Sequence, residues 1–187
     1  CPAVGGITTG QLFAVVGPSG AGKDTLIAAA LAARPDLVIV RRVITRPVEA
    51  GGEPFEGVTL LEFERRRAAG EFALDWQAHG LCYGIPAAGL APLAAGRDVI
   101  FNGSRAALPL ARDRFAGLRV ILVTAPPAVL AARLAGRGRE AAADIAARLE
   151  RSGFALPEAL HVTTVCNDGA LEQGVARFLA ALQPDRA

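Results

Sequence analysis

Methionine is absent from the 187 residues, histidine occurs twice, and lysine, tryptophan and tyrosine occur once each. The three cysteines, Cys1, Cys82 and Cys166, lie far apart and are odd in number. Neither a disulfide framework nor a zinc site is therefore expected, and reduced, partly buried thiols are. No apolar run approaches the ~20 residues that span a bilayer. The first twenty residues lack the basic start and cleavage pattern of an export signal. Net charge is only +2, too little to point to a nucleic-acid partner. With 52% hydrophobic and 20% charged residues, a disordered chain or a coiled coil is excluded. The expectation is a single globular domain, soluble and cytoplasmic, with neither a nucleic-acid nor a membrane partner and its oligomeric state left open.

Of the 20 basic residues, all but Lys23 are arginine. Such a bias in an alanine-rich chain fits coding preference, so a lysine retained against it asks for a chemical reason. Leu12 to Val16 is a short apolar run ending in glycines, the mark of a buried parallel strand. A helix is expected over Thr25–Ala33, stopping at Arg34-Pro35, and an extended run over Leu37–Ile44. Residues 46–57, rich in Pro and Gly, read as a loop or irregular excursion. Leu61–Ala69 reads as a helix with Arg65, Arg66 and Arg67 on a solvated face. Phe72–His79 reads as a strand that Gly80 turns. Asp98–Phe101 and Leu118–Val123 are further buried strands, each with a helix after it (near Arg105–Phe115 and Ala128–Leu134). A helix over Ala141–Arg151, a strand over His161–Val165 and a closing helix over Ala170–Leu182 complete the pattern. Strands alternating with helices predict an α/β fold, a parallel sheet covered by helices on both faces. The least core-like stretches, 46–95 and 135–147, are natural inserts around a cleft.

Gly17-Pro18-Ser19-Gly20-Ala21-Gly22-Lys23 follows a predicted strand and opens a predicted helix. Phosphates need a loop whose backbone N–H groups point inward, a cation, and the positive end of a helix. This segment supplies all three. The Ser or Thr that usually follows such a lysine, and binds Mg²⁺, is here Asp24, with Thr25 next. A carboxylate can serve Mg²⁺ directly or through water, although a helix-end acid facing the macrodipole reads equally well. Arg133, Arg137 and Arg139, spaced by glycines, and Arg148 one helix later suggest a lid that brings guanidinium groups to a transferring phosphoryl. A third set gathers Arg41, Arg42, Thr45 and Arg46 with Asp75-Trp76, His79 and Tyr83-Gly84. Arg46 beside Pro47 suits a bidentate phosphate grip. His79 reads more readily as packed or solvent-facing than as a ligand contact.

These motifs resemble the guanylate kinase branch of the nucleoside monophosphate kinases over nearly the whole chain, including Thr45-Arg46-Pro47 and Arg133–Gly138. The resemblance implies a P-loop kinase: a core of about 1–45, 96–134 and 148–187, an acceptor-binding insert of about 46–95 and a lid of about 135–147. It also implies ATP as co-substrate and Mg²⁺. ATP would be held by Gly17–Thr25, Arg133 and Asn167, with Lys23, Arg137 and Arg148 catalytic and Asp24 at the metal. The guanine readers are missing, however. Arg42 stands where that family has Ser, Asp75 where it has Glu, Ile85 where it has a hydroxyl, and Asn102 where it has Asp. Those departures, with Gly22-Lys23-Asp24, Trp76–Leu81 and Asn102-Gly103-Ser104-Arg105, are similar to the ribose 1,5-bisphosphate phosphokinases. That resemblance implies a phosphorylated sugar as acceptor, converted to 5-phosphoribosyl 1-diphosphate. Arg42, Arg46, Asp75, Tyr83, Asn102 and Arg105 would line its site, with Asn102 reaching a ribose hydroxyl. Guanylate kinase activity is the alternative. A silent interaction module is disfavoured because the phosphate loop and lid arginines stand. A GTPase is disfavoured because no guanine-specific Asn/Thr-Lys-x-Asp motif follows a strand.

Overall fold

The computed structural model describes residues 10–17, 21–46, 55–78, 80–115, 117–135 and 160–182. Strand β1 (Leu12–Val16) is buried at every position, as a fully apolar run at the centre of a parallel sheet must be. Helix α1 (Lys23–Ala33) follows it. Strands β2 (Val38–Ile39), β7 (Val99–Asn102), β8 (Arg119–Thr124) and β9 (His161–Cys166) complete a five-stranded sheet. Its order is β2-β7-β1-β8-β9, and every pairing is parallel. Helices α3 (Leu108–Arg114), α4 (Pro127–Ala135) and α5 (Leu171–Ala181) follow the later strands. Among the described residues no helix is long and apolar enough to cross a membrane.

The pleat divides the core in two. Phe13 and Val15 pack with Leu26 and Ile27 of α1, Leu130 of α4 and Phe178 of α5. Leu12, Ala14 and Val16 belong to the opposite cluster, with Leu108 and Ala111 of α3. That second cluster also holds Leu74, Trp76 and Ile85, which come from a separate sheet. Strands β3 (Arg42–Ile44), β4 (Phe55–Gly57), β5 (Phe72–Ala78) and β6 (Leu81–Pro86) form that sheet in the order β4-β3-β6-β5. Its β5–β6 side thus seats on the main core, while helix α2 (Leu60–Ala68) covers the other face through Phe63, against Val43, Phe72 and Cys82.

Several expectations are corrected here. The extended run over 37–44 breaks into β2 and β3, which join different sheets. The excursion of 46–57 ends in strand β4, paired parallel to β3. A full hairpin partner, β6, follows Gly80, and a 3₁₀ segment spans Ala87–Ala95. The helix expected near Arg105–Phe115 starts as a 3₁₀ turn at Arg105–Ala107. The arginine run of α2 is solvated as expected, but paired: Arg65 and Arg66 with Glu62, Arg66 also with Glu56, and Arg67 with Glu64. The helix expected over Ala141–Arg151, and His79, lie outside the described residues.

Phe178 is fully buried between α5 and the sheet. Phe178→Ala should therefore cost about 3–5 kcal/mol, read from denaturant unfolding. A loss below about 1 kcal/mol would contradict this packing.

Candidate active site at the carboxyl edge of the parallel sheet

In parallel α/β sheets ligands bind beyond the carboxyl ends of the strands, and here the chemistry-bearing residues follow that rule. β1 runs into Gly17, β7 ends at Asn102, and Asn167 follows β9 directly. Helix α1 begins at Lys23 after Gly22, whose φ of 87° is left-handed. Gly22, at the N-cap, has no side chain to cap this helix, which suits its N-terminal N–H groups and dipole to an anion. Lys23 Nζ donates to Gly17 O at 2.5 Å. Burial lowers its pKa to about 8, with Arg42 and Arg105 adding to the fall and Asp24 opposing it.

Asn102 and Asn167 are the buried polar side chains among the described residues. Asn167 braces the loop from below: its Nδ2 donates to Ala21 O at 2.8 Å, and its backbone N donates to Thr124 O at 2.7 Å. Two glycines make room for it. A Cβ on Gly22 would lie 2.6 Å from Asn167 Nδ2, and one on Gly174 2.4 Å from its Oδ1. Arg133 is tied to the same point, donating from Nη2 to Asn167 O at 2.8 Å. Asn167 and Arg133, expected as ATP contacts, are here joined to each other and to the loop. Asn102 Nδ2 donates to Asp24 Oδ1 at 3.1 Å, one of the two hydrogens that its amide offers. Thr25 is exposed at the start of α1.

Arg42 lies against this cluster. Its Cζ sits 5.2 Å from the Tyr83 ring centroid. Burial pulls its pKa down to about 10, Arg46 adds to the fall, and Tyr83 and Asp24 oppose it. Burial also lowers the pKa of Arg105. Arg46 has its Cζ 4.4 Å from the Phe55 ring centroid. It lines an open cavity of about 940 Å³ with Thr45, Val58, Gln77 and Cys82. Lys23, Asp24, Arg42, Arg46, Tyr83, Asn102 and Arg105 are thus gathered at one edge. Asp75 is not. It alternates along β5 with Leu74 and Trp76, which face the core, and lies 3.9 Å from Arg67 of α2. The sequence did not single out Phe55, because the glycines and prolines around it concealed a strand. Nor did it mark Gly174, whose signal is only a close approach in space. Pro18, Ser19, Gly20, Arg137, Arg139 and Arg148 lie outside the described residues.

Among the described residues no group of three His, Cys, Asp or Glu side chains could hold a metal ion. A Mg²⁺ that arrives on nucleotide phosphates needs only one or two protein carboxylates. Asp24, exposed and one residue beyond the loop lysine, fits that need.

No family model matches the chain. The ribose 1,5-bisphosphate phosphokinase PhnN of Agrobacterium fabrum is 51% identical over 175 residues, covering 92% of this chain and 96% of that protein. The bifunctional ribose 1,5-bisphosphokinase-thymidine phosphorylase of Cupriavidus necator is 49% identical over 176 residues, or 94% of this chain. The chain spans 29% of that longer relative. Among solved structures, guanylate kinase from Anaplasma phagocytophilum superposes with a TM-score of 0.67 at 19% identity, covering 94% of this chain and 85% of that one. That likeness shows a shared guanylate-kinase-like P-loop fold, an α/β parallel sheet. The near-complete match to PhnN shows the family: the chain belongs to the ribose 1,5-bisphosphate phosphokinases.

Proposed function

We propose that the chain transfers the γ-phosphoryl group of ATP to the 1-phosphate of ribose 1,5-bisphosphate, giving 5-phosphoribosyl 1-diphosphate and ADP. An oxygen of the 1-phosphate bonds to the γ-phosphorus as the bond to the β–γ bridging oxygen breaks. The observation that carries this reading is Arg42, a largely desolvated guanidinium on Tyr83 where a nucleotide acceptor would need a base reader. A guanidinium matches phosphate bidentately, and the match strengthens where water is largely excluded. An acceptor with phosphates at both ends of a ribose supplies two.

In this reading Lys23 and the start of α1 hold the β- and γ-phosphates. Arg42 and Arg46 grip the acceptor, and Arg105 faces the charge between them. The acceptor insert of about 46–95 supplies β4, β5 and β6 of the second sheet, which β3 joins to the core of a single kinase domain, and Arg137 and Arg148 belong to its lid. Asp24, whose carboxylate accepts from Asn102, would hold Mg²⁺ directly or through water, and the charge neutralisation of the phosphates would be what the ion supplies there.

ADP release with ATP and ribose 1,5-bisphosphate, ribose 5-phosphate or GMP tests the assignment. Ribose 1,5-bisphosphate should have the highest kcat/KM. GMP in first place would return the chain to guanylate kinase, and AMP formed from ribose 5-phosphate would mean pyrophosphoryl transfer. Lys23→Ala should lower kcat by about a hundredfold or more, because transfer rests on placed charge; activity within a few-fold of the parent would remove Lys23 from the phosphates. Asp24→Ala should raise the Mg²⁺ requirement more than the acceptor KM.

The lowered pKa of Lys23 also sets a pH dependence. Phosphates favour the protonated ammonium, so ATP analogue affinity should be level below about pH 8. Above it, binding must take up a proton, and affinity should fall by up to about tenfold per pH unit. Calorimetry from pH 7 to 10 measures this, and Lys23→Ala should abolish the slope.

A further inference from the structure

The only tryptophan and the only tyrosine of the chain are stacked on each other. Trp76 on β5 and Tyr83 on β6 are opposite in register, with ring centroids 5.4 Å apart and 5° between their planes. Arg42 continues the pile, with Cζ 5.2 Å from the Tyr83 centroid. The indole and phenol are thus stacked and the guanidinium lies over the phenol, beside the candidate acceptor site. The indole is rigid: Trp76 is 8% exposed and belongs to the cluster of Leu74, Ile85, Phe101 and Leu108. Its Nε1–H is buried without a hydrogen-bond partner among the described residues.

We infer that Trp76 is a positioning residue for the acceptor: it fixes the plane of Tyr83, and through Tyr83 the plane of the Arg42 guanidinium. A guanidinium lying on an aromatic face gives that face its π contact and keeps its N–H groups in its own plane, the geometry that meets phosphate bidentately. With the ring below it held flat, Arg42 loses less freedom when the acceptor binds. This rests on Arg42 gripping the acceptor, as proposed above.

Two measurements test it. In the parent protein Trp76 is the sole indole, so titration with ribose 1,5-bisphosphate should change its emission saturably. ADP alone should not, and Arg42→Ala should abolish the response. In kinetics, Trp76→Leu should raise the acceptor KM about tenfold, the scale of one oriented cation–π contact, and leave the ATP KM unchanged. Trp76→Phe, which restores a flat ring and removes the orphaned donor, should recover most of that loss and melt no lower than the parent. If Trp76→Leu does not fold, the parent emission and Trp76→Phe decide. Emission blind to the acceptor, both KM values rising together in Trp76→Leu, or Trp76→Phe weakening acceptor binding as much as loss of the stack is expected to, would each overturn the inference. A parent that does not phosphorylate ribose 1,5-bisphosphate would instead remove the functional reading and this inference with it. Turnover with an unchanged acceptor KM in Trp76→Leu would remove this inference alone.

Discussion

The site depends on keeping cations that repel one another in a partly desolvated space. Lys23, Arg42 and Arg105 all have lowered pKa values with burial as the leading cause, and Arg42 and Arg105 each push Lys23 down further. Asp24 is the acid that opposes this for both Lys23 and Arg42. Such an arrangement stores unfavourable electrostatic energy, which a multiply charged anion releases on binding. It also explains why the surroundings are so firmly braced. Asn167 holds the loop at Ala21, Asn102 holds Asp24, and aromatic rings lie under Arg42 and Arg46.

The bracing follows from how the two sheets meet. Alternation along β1 sends Phe13 and Val15 toward α1 and α5, and Leu12, Ala14 and Val16 toward the second sheet. Apolar side chains on β5 and β6 complete the latter cluster. The same burial that holds the second sheet against the core therefore sets Tyr83 and Arg42 beside the phosphate loop. In the proposed function, phosphate binding comes from the parallel sheet and acceptor recognition from the sheet laid against it.

The parts legible in the sequence were those with a strong local cause. The lone lysine in a glycine-rich turn marked the phosphate loop, and the apolar runs at 12–16, 98–101 and 118–123 marked central strands. β4 was concealed because Pro and Gly dominate the residues before it. The 3₁₀ segment at Ala87–Ala95 was missed because Ala, Gly and Pro fill all of it but Leu90 and Leu93, too few apolar positions to mark a period. Asp75 and Tyr83 look like partners along the chain, yet Tyr83 stacks on Trp76 while Asp75 approaches α2. An irregularity between Phe72 and Leu74 shifts the strand's parity, and a one-residue shift exchanges the two faces. Only the register reveals that.

The central claim is that Arg42 recognises an acceptor phosphate rather than merely filling space. The most direct measurement is kcat/KM with ribose 1,5-bisphosphate, and with ribose 1-phosphate beside it, in the parent and in Arg42→Ala. With the bisphosphate Arg42→Ala should lose about 1.5–3 kcal/mol, the scale of a hydrogen bond to a charged group; an equal loss with ribose 1-phosphate places Arg42 at the 1-phosphate, and a loss confined to the bisphosphate places it at the 5-phosphate. A kcat/KM for the bisphosphate unchanged by Arg42→Ala would contradict the account.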